Sequence, residues 1–137
     1  MLDDFRMREF SQDEARQLNP LQLALIGDGI FEVFIRNYIV MKNTSLSANK
    51  IHVKAITYVK AKSQACIMHE IELLLIAEEE AIYKRGRNAK SPTVPKNADV
   101  RDYRMATGFE ALIGYLYLTG NKERLEFILN KSIEIIK

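Results

Sequence analysis
Apolar residues along this chain recur at spacings of three and four, and no stretch keeps the strict alternation of a half-buried strand. Asn19-Pro20 predicts a helix start, because Asn caps well and Pro suits the first helical position. From there to about Met41, apolar side chains cover nearly the whole helix circumference, so this helix is expected to be buried on all sides, within the domain or against a second subunit. Ser47 caps a second run in which Ile51, Ala55, Ile56 and Val59 share a side and Lys50, Lys54 and Lys60 fall mainly opposite. The period continues through Ile67, Met68, Ile71 and Leu74, with a bend expected around Lys62-Ser63. Glu78 to Glu80 open a further helix that closes at Lys84-Arg85, charges placed as the helix dipole favours, with Gly86 as its stop signal. Residues 86–100, "GRNAKSPTVPKNADV", carry two prolines and no period, which predicts a long loop. Helices over 103–118 and 122–136 complete an all-α reading with about six helices, in one domain spanning residues 1–137.

Composition changes this picture little. Of 137 residues, 47% are apolar and 28% charged, an ordinary globular balance. The single cysteine, Cys66, makes neither an internal disulfide nor a zinc site. No apolar run is long enough to span a bilayer and no N-terminal signal segment is evident, so a cytoplasmic protein with no membrane partner is expected. Net charge is only +2, yet residues 84–104 hold seven bases against two acids. That concentration of charge marks one segment as an anion-contacting candidate on a nearly neutral chain.

Three features carry candidate chemistry. Asp28 stands between Gly27 and Gly29 in "ALIGDGIFE", inside the apolar helix. It is either solvent-facing or paired with a cation such as Arg36, or it holds a ligand; a buried carboxylate must be paired, protonated or metal-bound. Glu110 lies in a second apolar, glycine-containing helix, and Thr107-x-x-Glu110 also fits a capping box with Glu110 reaching back to the cap. If the two helices cross at their glycines, the carboxylates converge, and two hard oxygen ligands with open positions suit Mg2+. Glu32, one turn after Asp28, pairs more readily with Arg36 four residues on. In the basic segment, Arg85, Arg87, Asn88 and Lys90 are suited to phosphate contacts rather than to base reading.

These residues resemble a known family. "LALIGDGIFEVFIR" (23–36) and "TGFEALIGYLYLTG" (107–120) are similar to the two signature segments of the ribonuclease III catalytic domain, closest to its short Mini-ribonuclease III branch. "VKAKSQA" (59–65) and "EEEAIYKRGRNAK" (78–90) fit the same pattern, so the resemblance covers roughly residues 19–125. It implies an all-helical fold and a homodimer with two active sites along a valley that binds double-stranded RNA. It also implies Mg2+-dependent hydrolysis, Asp28 and Glu110 as the catalytic and metal-binding acids, and no separate double-stranded-RNA-binding domain. The branch's role implies precursor 23S ribosomal RNA as substrate, with ribosomal proteins as candidate further partners. Leu21, Ala24 and Thr107 stand where the larger enzymes carry further acids, and Gly29 stands where alanine is common. The rival readings are a catalytically silent RNA-binding or ribosome-assembly module on the same fold, and a helical protein-interaction domain in which Glu110 is only a cap.

Overall fold
Two helices at the centre of the molecule cross so closely that neither tolerates a side chain at the crossing point. The computed structural model describes residues 5–90, 94 and 99–136. In chain order the helices are α1 (Gln12–Gln17), α2 (Pro20–Lys42), α3 (Ala48–Val59), α4 (Ala61–Ile71), a 3-10 turn (Glu72–Leu74), α5 (Ala77–Asn88), α6 (Val100–Leu118) and α7 (Lys122–Ile136). No strand occurs among the described residues, and none of the helices is long and apolar enough to cross a membrane.

The crossing pair is α2 and α6. At α2, the Asn19 side chain accepts from the Leu21 amide at 2.8 Å and the Gln22 side chain accepts from the Asn19 amide at 2.9 Å, with Pro20 opening the helix. A Cβ on Gly27 would collide with the carbonyl oxygen of Glu110, and one on Gly114 with the carbonyl oxygen of Leu23. The glycines therefore set the contact between the two backbones. Around it, Leu23, Phe31 and Ile35 of α2 interdigitate with Phe109, Leu112 and Leu116 of α6 in the core, and the Phe31 and Phe109 rings meet edge to face at 5.1 Å.

Only one face of α2 enters this core. Leu25 is 74% exposed, Met41 69% and Val33 54%, so the expectation of burial on every side fails within the single chain. Within the chain, α2 is covered along one face, by Leu23, Ala24, Gly27, Ile30, Phe31, Ile35 and Ile39, and its other apolar residues stay open.

Other boundaries shift for identifiable reasons. α1 was not expected: only Ala15 of its six residues is buried, too little for a periodic signal, and a Ser11–Glu14 capping box starts it. The chain breaks at Lys60, two residues before the expected bend, where ψ is 154°. Ser63 and Gln64 make the break tolerable by donating to the Thr57 and Val59 carbonyls at 2.5 and 2.8 Å, groups that a helix end leaves unpaired. Gly86 does not stop α5, which runs on to Asn88. It is buried against α6, where a Cβ would approach Ala111 Cβ at 2.7 Å and Gly108 Cα at 2.9 Å; the glycine reports a close approach rather than a terminus. α6 starts at Val100, three residues early, because Asp99 caps it by accepting from the Asp102 amide at 3.1 Å. The expected loop over 86–100 thus shrinks to residues 89–99, of which 91–93 and 95–98 lie outside the described residues. α6 ends in a left-handed Gly120 (φ 71°), with Gly120 donating to Tyr117 and Asn121 to Leu116, the paired bonds of a glycine-terminated helix.

Candidate active site
Asp28 and Glu110 occupy the middle of α2 and of α6. Gly27 lies directly on the Glu110 carbonyl, so the residue that follows it on α2 presents its side chain beside that of Glu110. The two carboxyl groups are close enough for each to act on the other. The glycines do what the sequence reading required of them: they bring two acids from distant chain positions together.

The two acids are not equivalent. Asp28 is exposed, which corrects the expectation that its helix would bury it; Glu110 is the half-buried partner. Burial, which disfavours a charged carboxylate, pushes Glu110 up from an ordinary 4.5 to about 8, and the negative charges of Asp28 and Glu32 push the same way. Gln64 opposes them by donating from Nε2 to Glu110 Oε2 at 3.2 Å. Glu32 makes the expected i,i+4 pair with Arg36 at 3.3 Å.

The capping-box reading of Glu110 falls. Thr107 sits two turns inside α6, its hydroxyl donates to the Tyr103 carbonyl at 3.0 Å, and Asp99 is the cap. Gly29 faces open space, with nothing within 4 Å of a Cβ placed on it. It therefore serves no helix packing, and the space beside Asp28 is clear.

A half-buried carboxylate that holds its proton to about pH 8, beside a second and solvent-facing one, fits a hard divalent cation that replaces the proton. Among the described residues there is no group of three or more His, Cys, Asp or Glu that could hold a metal, so the chain offers two carboxylates rather than a closed cage. Two ligands leave most coordination positions to water and substrate, as Mg2+-type sites do.

The basic residues divide. Arg85 is exposed but tethered: its guanidinium donates to the carbonyls of Arg16 at 2.7 Å and Leu18 at 3.3 Å, tying α5 to the α1–α2 link. Arg87 lies 5.7 Å from the centre of the Tyr83 ring and donates from Nε to Asn88 Oδ1 at 3.1 Å. Arg87 and Asn88 line a cavity of about 500 Å3 together with Arg101, Arg104 and one acid, Glu72. A neighbouring cavity of about 340 Å3 shares Arg87 and Arg104 and adds Lys90 and Thr107. Thr107, in the lining of the second cavity, is one helical turn before Glu110 on α6.

Sequence reading passed over three contributors. Arg101 and Arg104 were visible as charge in the basic segment but were not named as phosphate contacts; they belong to the first turns of α6. Gln64 had a clearer signal: with Ile67, Met68 and Ile71 it completes an i, i+3, i+4, i+7 stripe, and a glutamine on an otherwise apolar stripe asks for a partner.

This all-helical chain is matched over residues 21–121 by the Ribonuclease III domain family, a family of endonucleases. A Mini-ribonuclease 3 of Clostridium tetani is 50% identical over 131 residues, covering 96% of this chain and 87% of the relative. One of Enterococcus faecalis is 52% identical over 121 residues, covering 87% and 91%. A crystal structure of a Fusobacterium nucleatum protein superposes with a TM-score of 0.78 at 34% identity, covering 87% of this chain and 94% of that one. The chain belongs to the ribonuclease III family, in its Mini-ribonuclease 3 branch. It is accordingly a metal-dependent endoribonuclease, of a family that acts on double-stranded RNA and is typically dimeric.

Proposed function
We propose that Asp28 and Glu110 are the catalytic acids of a Mg2+-dependent endonuclease that cuts double-stranded RNA in the maturation of 23S ribosomal RNA in the cytoplasm. The observation that carries the assignment is the pairing of the two carboxylates across the Gly27–Gly114 crossing. A divalent cation held there supplies charge neutralisation at the scissile phosphate and lowers the pKa of the attacking water. The protein's own share is positional. Glu110, half-buried in the wall of the site, and Asp28, open to solvent, would hold the cation between them, with Asp28 on the side that RNA can reach. Arg87, Asn88 and Lys90, joined by Arg101 and Arg104, grip backbone phosphates, which holds a duplex without reading its sequence. Arg85 supports that grip by fixing α5 to the α1–α2 link and by its charge.

The enzyme acts as a homodimer of single-domain chains through the open face of α2. Val33 and Phe34 of α2 line an apolar hollow of about 430 Å3 with Phe5, Leu116, Leu125 and Leu129, and Leu25 and Ile26 line a second with Phe10 and Leu18. An exposed apolar surface of this kind marks a protein contact.

The test is cleavage of a double-stranded RNA in Mg2+, in EDTA and by Asp28→Asn and Glu110→Gln. Cleavage that survives EDTA or either substitution refutes the mechanism. RNA binding without cleavage by the unaltered protein favours the silent module, and no RNA binding favours a protein-interaction domain. Sedimentation of Val33→Asp, expected to be monomeric, tests the interface.

A further inference from the structure
We propose that Gln64 is a positioning residue of the active site: its side-chain amide, anchored at the α3–α4 break, holds one oxygen of Glu110 and so presents the other to the metal. This rests on Glu110 being a metal-binding acid.

The geometry leaves the amide no freedom. Gln64 is 2% exposed, and Nε2 donates to the Val59 carbonyl at 2.8 Å and to Glu110 Oε2 at 3.2 Å, using both of its protons. Turning the amide over would set Oε1 against two acceptors, a carbonyl and a carboxylate, so its orientation is fixed by its partners. The consequence is that Gln64 Oε1 is buried with no hydrogen-bond partner. An orphaned acceptor is unfavourable, and Ile67, Met68 and Ile71 around it form an apolar stripe that would accept leucine or methionine. A glutamine at this place is poorly explained by stability and well explained by its two donations.

Val59 is the last residue of α3, and its carbonyl would otherwise be one of the unpaired groups at that helix end. Gln64 therefore takes its fixed point from the break at Lys60 and passes it to α6. Among the described residues no protein N–H donates to Glu110 Oε1, so that oxygen is free to take a cation. Holding a ligand carboxylate through its second oxygen is how outer-sphere hydrogen bonds orient metal ligands, and losing one costs roughly ten- to a hundredfold in metal affinity.

The experiment uses Mn2+ as probe, titrated into the full RNA-free chain and followed by loss of the free-ion electron paramagnetic resonance signal. Gln64→Leu keeps the volume and removes both donors; Gln64→Met, unbranched and of the same reach, decides if the leucine variant does not fold. Binding weaker by about tenfold is expected, together with cleavage that recovers as Mg2+ is raised. Ser63→Ala serves as control, because it removes the neighbouring bond across the break and touches no acid; unchanged Mn2+ affinity is expected. Undiminished Mn2+ affinity in the Gln64 variants overturns the proposal, as does an equal loss in Ser63→Ala, which would make the effect one of a disturbed break. If Glu110→Gln itself binds Mn2+ like the unaltered protein, the metal-site reading fails first, and this one with it.

Discussion
Replacing Glu110 by Gln should destroy cleavage while making the metal-free protein more stable, and the gain should depend on pH. Glu110 holds its proton to about pH 8 in the folded chain, against an ordinary 4.5. An acid whose folded pKa is raised keeps a proton that the unfolded chain releases, so folding is progressively disfavoured as pH climbs from 4.5 to 8 and fully so above. At about 1.36 kcal/mol per pH unit, the ceiling on that cost is about 5 kcal/mol. Glu110 retains some contact with solvent and relaxation lowers the penalty further, so about 2 kcal/mol is the working figure. Glutamine is neutral throughout and still offers an oxygen to Gln64. For a chain of this length about 1 kcal/mol moves Tm by some 3–4 °C. In EDTA at pH 8.5 the variant should therefore melt about 7 °C above the unaltered protein, while at pH 5 the two should nearly coincide. Adding Mg2+ at pH 8.5 should raise Tm of the unaltered protein and not of the variant, since only a site that binds the ion is stabilised by it. A gain that is the same at pH 5 and pH 8.5 would refute buried charge as its cause.

The glycines beside Asp28 should respond oppositely to alanine. Gly29→Ala fills open space on a helix and should add about 1 kcal/mol of stability, read as a Tm gain of 3–4 °C, whereas Gly27→Ala drives a methyl into the Glu110 carbonyl and should leave little folded protein by circular dichroism. Arg101→Ala with Arg104→Ala should weaken binding of an uncleavable RNA duplex regardless of its sequence and lower the salt-dependence slope by roughly 2, with Tm unchanged; an unaltered slope would remove both from the phosphate contacts.

What the chain discloses and what it hides follow from how each signal arises. α2 and α7 were readable because apolar positions recur at helical spacing along them, and α2 also announces its start with Asn19-Pro20. α1 and the first turn of α6 were not, since too few of their residues enter the core to make a period; only their caps, Ser11 and Asp99, betray them. Gly86 misled because a glycine that ends a helix and a glycine that lets two helices touch look alike until the second helix is present. Gln64 escaped because its partners, the Val59 carbonyl and Glu110, are a helix break and a distant helix away.

The division of the acid pair could not be read at all, and it is what gives the pair its chemistry. Sequence placed both acids in apolar helices and made exposure of Asp28 unexpected, whereas burial is decided by which side of the crossing each side chain leaves. Asp28 follows Gly27 out of the contact, while Glu110 lies under Gln64 and beside α2. Two exposed acids would both be charged at pH 7 and would hold a hydrated ion weakly; two buried ones would be inaccessible to RNA and costly to charge. With one of each, the open carboxylate attracts the cation and the enclosed one exchanges its proton for it, so ion uptake should strengthen as pH rises toward 8. Adding Mn2+ to unbuffered protein at pH 7 should therefore acidify the solution, and Glu110→Gln should abolish that proton release; release that persists in the variant would assign the proton to another group.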